Sequence, residues 1–251
     1  MAQRRVLVLG GTGEGRGLAS GLTAQGIAVT SSLAGRVSSP RLPEGEVRVG
    51  GFGGVEGLTE YLTAQGFSAV VDATHPFAAR ITANAAAACR ATGTPLLVLH
   101  RPPWQPQPGD RWTSAPDIPG AAALLEATPA TTRVLLTTGR QETRAFAPLP
   151  QHFWLRAVEP PDGPLPEHCR IILDRGPFTL DAERKLLHEN RIDVLVTKNS
   201  GGPMTAAKLA AAREAGVGVI MVERPPLPPG VPTVSAVESA LSWLRDLPGQ
   251  R

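Results

Sequence analysis

The sequence predicts an α/β protein built from two parallel-sheet lobes. Short β-branched or Leu-rich runs alternate with amphipathic or Ala-rich helical stretches. A cluster of prolines interrupts this alternation, and the segments on either side of it repeat one another in order. At 251 residues, 42% hydrophobic and 19% charged, the chain has the composition of a folded globular protein.

In the first half, strands are predicted at Val6–Leu9, Ile27–Ser31, Val47–Val49, Ala69–Asp72 and Leu96–Leu99. From His100 to Pro119 the prolines at 102, 103, 106, 108, 116 and 119 remove backbone donors and fix φ. Regular structure is expected to stop there, so that 101–119 connects a lobe at 1–100 with one at 120–251. Beyond it, strands are predicted at Val134–Leu136, Phe153–Ala157, Ile171–Leu173, Val194–Thr197 and Val219–Val222, with helices at Asp181–Asn190, Thr205–Ala215 and Ser235–Asp246.

The repeat indicates an internal duplication. Arg5-Val-Leu, Gly11, Glu14 and Arg16 recur at an offset of 128 as Arg133-Val-Leu, Gly139, Glu142 and Arg144. Thr82-Ala83, Arg90, Gly93 and Arg101-Pro-Pro recur at an offset of 123 as Thr205-Ala206, Arg213, Gly216 and Arg224-Pro-Pro. Equivalent loops would then face one cleft between the lobes, Gly139 answering to Gly11 and Lys198 to His75, with the active site there.

Several classes are disfavoured. The net charge of +3 comes from 25 Lys and Arg spread along the chain, which suits an acidic ligand better than a nucleic acid. Cys89 and Cys169 make no ligand spacing, so neither a disulfide framework nor a metal site is expected. The apolar run Val6–Leu9 is too short for a signal core and no segment approaches a membrane span, which predicts a cytoplasmic protein.

The strongest local signal is the turn Gly10-Gly11-Thr12-Gly13-Glu14-Gly15-Arg16, placed between a predicted strand and a predicted helix. Glycines let backbone N–H groups approach a pyrophosphate at the positive end of the helix dipole. Against G-x-G-x-x-G, Thr12 stands at the middle glycine, where its hydroxyl could donate to a phosphate. Glu14 would repel that phosphate unless it caps N–H groups, bonds a ribose hydroxyl or pairs with Arg16. After the second strand no acid is available for a ribose 2′-hydroxyl. Ser32 and Arg36 there suit a 2′-phosphate, which favours NADPH over NADH.

After the fourth strand, Asp72-Ala-Thr74-His75-Pro76 puts Thr74 and His75 where a nicotinamide would arrive, with Pro76 in the first helical turn. His75 is the candidate proton donor; the competing role for a histidine at such a turn is capping or packing. In the second half, Thr138-Gly139-Arg140 and Lys198-Asn199-Ser200-Gly201 have the character of anion sites beside helix N-termini, and Lys198 is expected to bind a carboxylate rather than transfer a proton.

Taken in order, Gly10-Gly-Thr-Gly-Glu-Gly-Arg, Asp72-Ala-Thr-His-Pro-Phe-Ala, Arg101-Pro-Pro-Trp104, Thr138-Gly-Arg140 and Thr197-Lys-Asn-Ser-Gly-Gly202 closely resemble the precorrin-6A reductase family of cobalamin biosynthesis, nearly end to end. The resemblance implies two Rossmann-like lobes and an NADPH-dependent reduction of one double bond of the precorrin-6A macrocycle, giving precorrin-6B. The partner would be an acidic, polycarboxylate corrinoid.

Three other readings fit the sequence less well. A short-chain dehydrogenase needs Tyr-x-x-x-Lys, but the only tyrosine, Tyr61, is followed at that spacing by Gln65. A two-lobed glycosyltransferase would keep its nucleotide donor in the second lobe. An NADP-binding sensor without reductase activity would keep the first-lobe features and have no use for the second-lobe anion turns.

Overall fold

The computed structural model describes residues 4–35 and 41–247. They form two compact α/β units, divided after Pro102 and after Arg224: one runs up to Pro102 and resumes at Pro225, and the other is Pro103–Arg224.

In the first unit, β1 (Arg5–Leu9), β2 (Ala28–Leu33), β3 (Glu46–Val49), β4 (Ala69–Asp72), β5 (Leu96–Leu99) and β12 (Thr233–Val234) form a six-stranded sheet in the order β12-β5-β4-β1-β2-β3. Every pairing is parallel. Apart from Arg5 and Asp72 at their ends, the central strands β1 and β4 are apolar because helices cover both faces. Val6, Val8 and Val71 pack with α1 (Gly13–Ala24) and α7 (Val237–Asp246), while Leu7, Leu9 and Val70 pack with α2 (Val55–Gln65) and α3 (Ala79–Thr92).

The second unit repeats this plan. β6 (Trp112–Ala115), β7 (Arg133–Leu136), β8 (His152–Ala157), β9 (Cys169–Leu173), β10 (Val194–Lys198) and β11 (Gly218–Val222) lie in the order β6-β11-β10-β7-β8-β9, again all parallel. Leu135, Leu195 and Met221 pack with α5 (Leu180–Glu189) and α6 (Ala207–Ala215). The repeat holds at the caps as well: α3 ends at Gly93 with φ 69° and α6 at Gly216 with φ 67°, the left-handed conformation that closes a helix at a residue lacking Cβ.

The sixth strands are exchanged. β6 and the helix after it, α4 (Ile118–Glu126), follow Arg101-Pro-Pro in the first half but belong to the second unit. β12 and α7 follow Arg224-Pro-Pro in the second half but belong to the first. This differs from the expected division: residues from Pro225 onward leave the 120–251 lobe, and regular structure resumes at Trp112 inside the expected connection. The prolines do exclude structure through Pro108, but Trp112-Thr-Ser-Ala is proline-free and pairs along β11. The remaining predicted strands and helices lie within two residues of their expected bounds.

Candidate functional site

In a parallel sheet the carboxyl ends of all strands lie at one edge, so the turns after β1, β2 and β4 gather there. The β1–α1 turn is pinned by Thr12, the N-cap of α1. Its Oγ1 accepts from the Gly15 N–H at 3.0 Å and donates to the Ala73 carbonyl at 2.7 Å. This corrects the expectation that the hydroxyl donates to a phosphate, since its one proton is engaged by the Ala73 carbonyl in the turn after β4. The glycines fit a close approach: a side chain at Gly15 would start 3.3 Å from Gly10 Cα, whereas Gly11, at φ 110°, faces open space. The Gly10 N–H donates to the Ser32 carbonyl at 2.9 Å. Gly13 and Glu14 open the helix, in a first turn whose N–H groups have no partner within α1. Glu14 pairs with Arg101 at 2.9 Å, neither with Arg16 nor with the turn's backbone.

β2 runs on to Leu33, so Ser31 and Ser32 are strand residues on opposite faces. Ser31 is in register with Val8 and Ser32 with Leu9. It is Ser31 that borders the glycine turn, lining a depression with Gly10, Gly15, Arg16 and Arg41. Its Oγ is buried without a partner among the described residues. Ser32 faces the other layer, and Arg36 lies outside the described residues. Sequence reasoning singled out Ser32 where Ser31 borders the turn, which the alternation of β2 could have told, and it missed Arg41.

Asp72 is fully buried at the end of β4. Its Oδ1 accepts from the Thr74 N–H at 3.0 Å and from Thr74 Oγ1 at 2.6 Å. His75 Nδ1 accepts from the Phe77 N–H at 3.3 Å, so a neutral ring carries its proton on Nε2. Pro76 stands in a turn ahead of α3, not in the helix as expected. Behind the site, burial and the charge of Asp72 push the Cys89 thiol up to about 12, so it is inert.

In the second unit, β7 leads into a single 3-10 turn at Thr143–Ala145 instead of a helix, and α6 begins at Ala207. The helix N-terminus expected beside Arg140 is therefore absent, whereas α6 follows β10 as expected, opening two residues late. Gly139 has φ 95°, and Thr138 Oγ1 is buried without a partner among the described residues. Lys198 is the last residue of β10. Strand register sets Val71 beside Val8 and Val196 beside Leu136, which stands for Val8 in the repeat. Lys198 therefore answers to Ala73, not to His75 as expected. The turn after it is braced from within: Asn199 Oδ1 accepts from the Trp104 N–H at 2.8 Å and its Nδ2 donates to the Trp104 carbonyl at 3.2 Å. Trp104 Nε1 donates to the Gly202 carbonyl at 2.9 Å, and Arg224 donates to the carbonyls of Asn199 and Ser200. The Asn199 amide thus braces the turn against Trp104. Ser200 N–H donates to the Lys198 carbonyl at 2.7 Å, and Gly201 has φ 68°.

Under this turn Lys208 is almost fully buried, its ammonium 5.2 Å from the centre of the Trp104 ring. Burial first, then the nearby Arg156 guanidinium, pushes it down to about 7, against the opposing pull of Glu183. Arg156 and Glu183 form a buried pair at 2.8 Å. Among the described residues no cluster of three His, Cys, Asp or Glu could hold a metal, and no helix is long and apolar enough to cross a membrane.

Comparison with known proteins agrees with this layout. The family described as precorrin-6x reductase CbiJ/CobK matches residues 5–245. A precorrin-6A reductase of Rhodococcus erythropolis is 54% identical over 97% of this chain and 98% of its own length, and one of Mycobacterium tuberculosis is 51% identical over 98% and 99%. A cobalt-precorrin-6A reductase of Priestia megaterium is 30% identical over 88% and 90%. The solved structure titled CobK precorrin-6A reductase superposes with a TM-score of 0.90 at 46% identity, covering 97% of this chain and 96% of that one. With its motifs in order and its two sheets on the same plan, the chain belongs to the precorrin-6x reductase CbiJ/CobK family.

Proposed function

We propose that the chain is an NADPH-dependent precorrin-6A reductase acting in the cytoplasm, adding hydrogen across one double bond of the macrocycle to give precorrin-6B. The observation that carries this reading is the glycine turn at Gly10–Arg16, tied by Thr12 to the Ala73 carbonyl just after β4, in a chain that matches the family over residues 5–245. The two free cysteines are in keeping with a reducing compartment.

The residues fit a dinucleotide phosphate. Gly10, Gly11 and Gly15 leave room for close approach, and the first-turn N–H groups at Gly13 and Glu14 supply donors. Ser31, with its buried unpartnered hydroxyl, and the guanidinium of Arg41 or Arg36 take the 2′-phosphate. Arg101 neutralises Glu14, which removes the objection to a carboxylate beside a pyrophosphate. Thr74 and His75 face the nicotinamide end. When bound, NADPH supplies the hydride.

His75 Nε2–H, oriented by the Nδ1 bond to Phe77, bonds the cofactor amide, and the proton for the neighbouring carbon comes from water. Thr138, Gly139, Arg140, Lys198, Ser200 and Gly201 bind the acetate and propionate groups of the substrate. Positioning two carbons in contact supplies much of the rate for such a transfer, so no larger acid–base array is needed.

The test is to mix purified protein with NADPH and precorrin-6A, with and without cobalt, and follow loss of the reduced-nicotinamide absorbance. Oxidation that depends on the corrinoid supports the reading. Tight NADPH binding with no oxidation by either substrate would point instead to a sensor.

A further inference from the structure

The cations assigned above to substrate carboxylates are already held by carboxylates of the chain. Arg140 Nη1 lies 3.3 Å from Glu159 Oε2 and 3.4 Å from Asp162 Oδ2, and donates to the Pro160 carbonyl at 3.3 Å. Lys198 Nζ lies 2.9 Å from Glu142 Oε1. The acids come from two places: Glu142 from the turn after β7, Glu159 and Asp162 from the loop after β8. Beneath them Thr138 Oγ1 and Thr143 Oγ1 are buried without partners among the described residues. A side chain on Gly163 would begin 3.2 Å from Thr143 Oγ1, so the end of the acidic loop passes close over that hydroxyl. Buried hydroxyls are costly to leave unpaired, and an acceptor brought in from outside would complete them.

We infer that Glu142, Glu159 and Asp162 are specificity determinants that hold Arg140 and Lys198 in the manner of substrate carboxylates, so that only a ligand with several carboxylates displaces them. This rests on the reading of Arg140 and Lys198 as substrate-binding residues. A monocarboxylate that enters breaks one ion pair to make one, which is close to an even exchange. A polycarboxylate breaks the same pairs but meets the cost of association once for all its contacts, and the released acids return to water. Before binding, no cation is left half-buried and uncompensated, and small cellular anions are rejected by the same pairs. Partly exposed ion pairs have small net worth, which lets them yield.

The experiment titrates the full chain with uroporphyrin, an octacarboxylate tetrapyrrole, at fixed ionic strength, with acetate as the competing monocarboxylate. Replacing one acid should tighten porphyrin binding about two- to five-fold in Glu142→Gln and in Asp162→Asn. Acetate should compete better against both variants than against the unaltered chain. The gain in Glu142→Gln should vanish when Lys198→Ala is added. Glu189→Gln, the same change of charge on an exposed residue of α5, should move nothing. Weaker binding in Glu142→Gln overturns the inference, because the acid would then be arranging Lys198 for its ligand. A gain that persists beside Lys198→Ala overturns it too, leaving only a general field. Asp162 is 83% exposed, so its variant tests the idea without risk to folding. If Arg140→Ala and Lys198→Ala weaken porphyrin binding while the acid variants do not tighten it, this inference fails and the substrate site stands. If porphyrin binding ignores both cations, the substrate reading falls as well.

Discussion

Thr12 Oγ1 donates to the Ala73 carbonyl at 2.7 Å, so one hydroxyl ties the turn after the first strand to the turn after the fourth, across 61 residues of chain. The same oxygen caps α1 through the Gly15 N–H. Thr12→Ala removes the cap, worth about 1 kcal/mol, and strips the Ala73 carbonyl of this donor. A loss of about 2 kcal/mol in denaturant unfolding is expected, with weaker NADPH binding. Thr12→Ser keeps the oxygen and should restore most of both; a serine variant as impaired as the alanine one would disprove the assignment.

Cofactor choice should rest on Arg41 and Ser31 beside the glycine turn. The unaltered chain is expected to bind NADPH more tightly than NADH. Arg41→Ala should lose about tenfold for NADPH and little for NADH, the loss of one charge-assisted bond. Arg36→Ala should act in the same direction. Equal affinities for the two cofactors in the unaltered chain would sink the 2′-phosphate reading.

Lys198 binds a carboxylate in the proposed reaction and moves no proton. Lys198→Ala should weaken substrate affinity about ten- to 150-fold, with NADPH affinity and saturated turnover little changed. Lys198→Arg separates the roles, because arginine keeps the charge and cannot release its proton at working pH. An Arg variant that binds substrate normally but does not turn over would refute the assignment.

Lys208 makes stability depend on pH. Its folded value is lowered to about 7 from 10.5, so below about 7 both folded and unfolded chains hold the proton and the full penalty of burying it is felt. As the pH rises from there toward 10.5, the folded chain releases a proton that the unfolded chain keeps, and stability rises. The Trp104 face favours the charged form but offsets only part of the desolvation. Lys208→Met has no proton to release. Denaturant unfolding between pH 6 and 9.5 should show the unaltered chain gaining on the methionine variant; parallel curves would mean that the ammonium keeps its ordinary value.

Much of this protein is written locally. Apolar runs of strand length, the capping threonine before a glycine-rich helix start and the glycines at 93 and 216 declare themselves within a few residues, because each follows from backbone conformation and from side chains on one element. The sequence by itself therefore determined the parallel α/β class, the duplicated plan and the turns that carry the candidate site. Only the tertiary structure decided that β6–α4 and β12–α7 change units, because a short strand joins whichever sheet edge will pair with it and nothing in Trp112–Ala115 or Thr233–Val234 names that edge. It alone decided that Glu14 pairs with Arg101 whereas its repeat, Glu142, pairs with Lys198, and that Ser31 rather than Ser32 borders the glycine turn. A salt bridge depends on where two distant turns converge, and the face of a strand residue depends on register. Both are set by packing over the whole sheet and by no single stretch of chain.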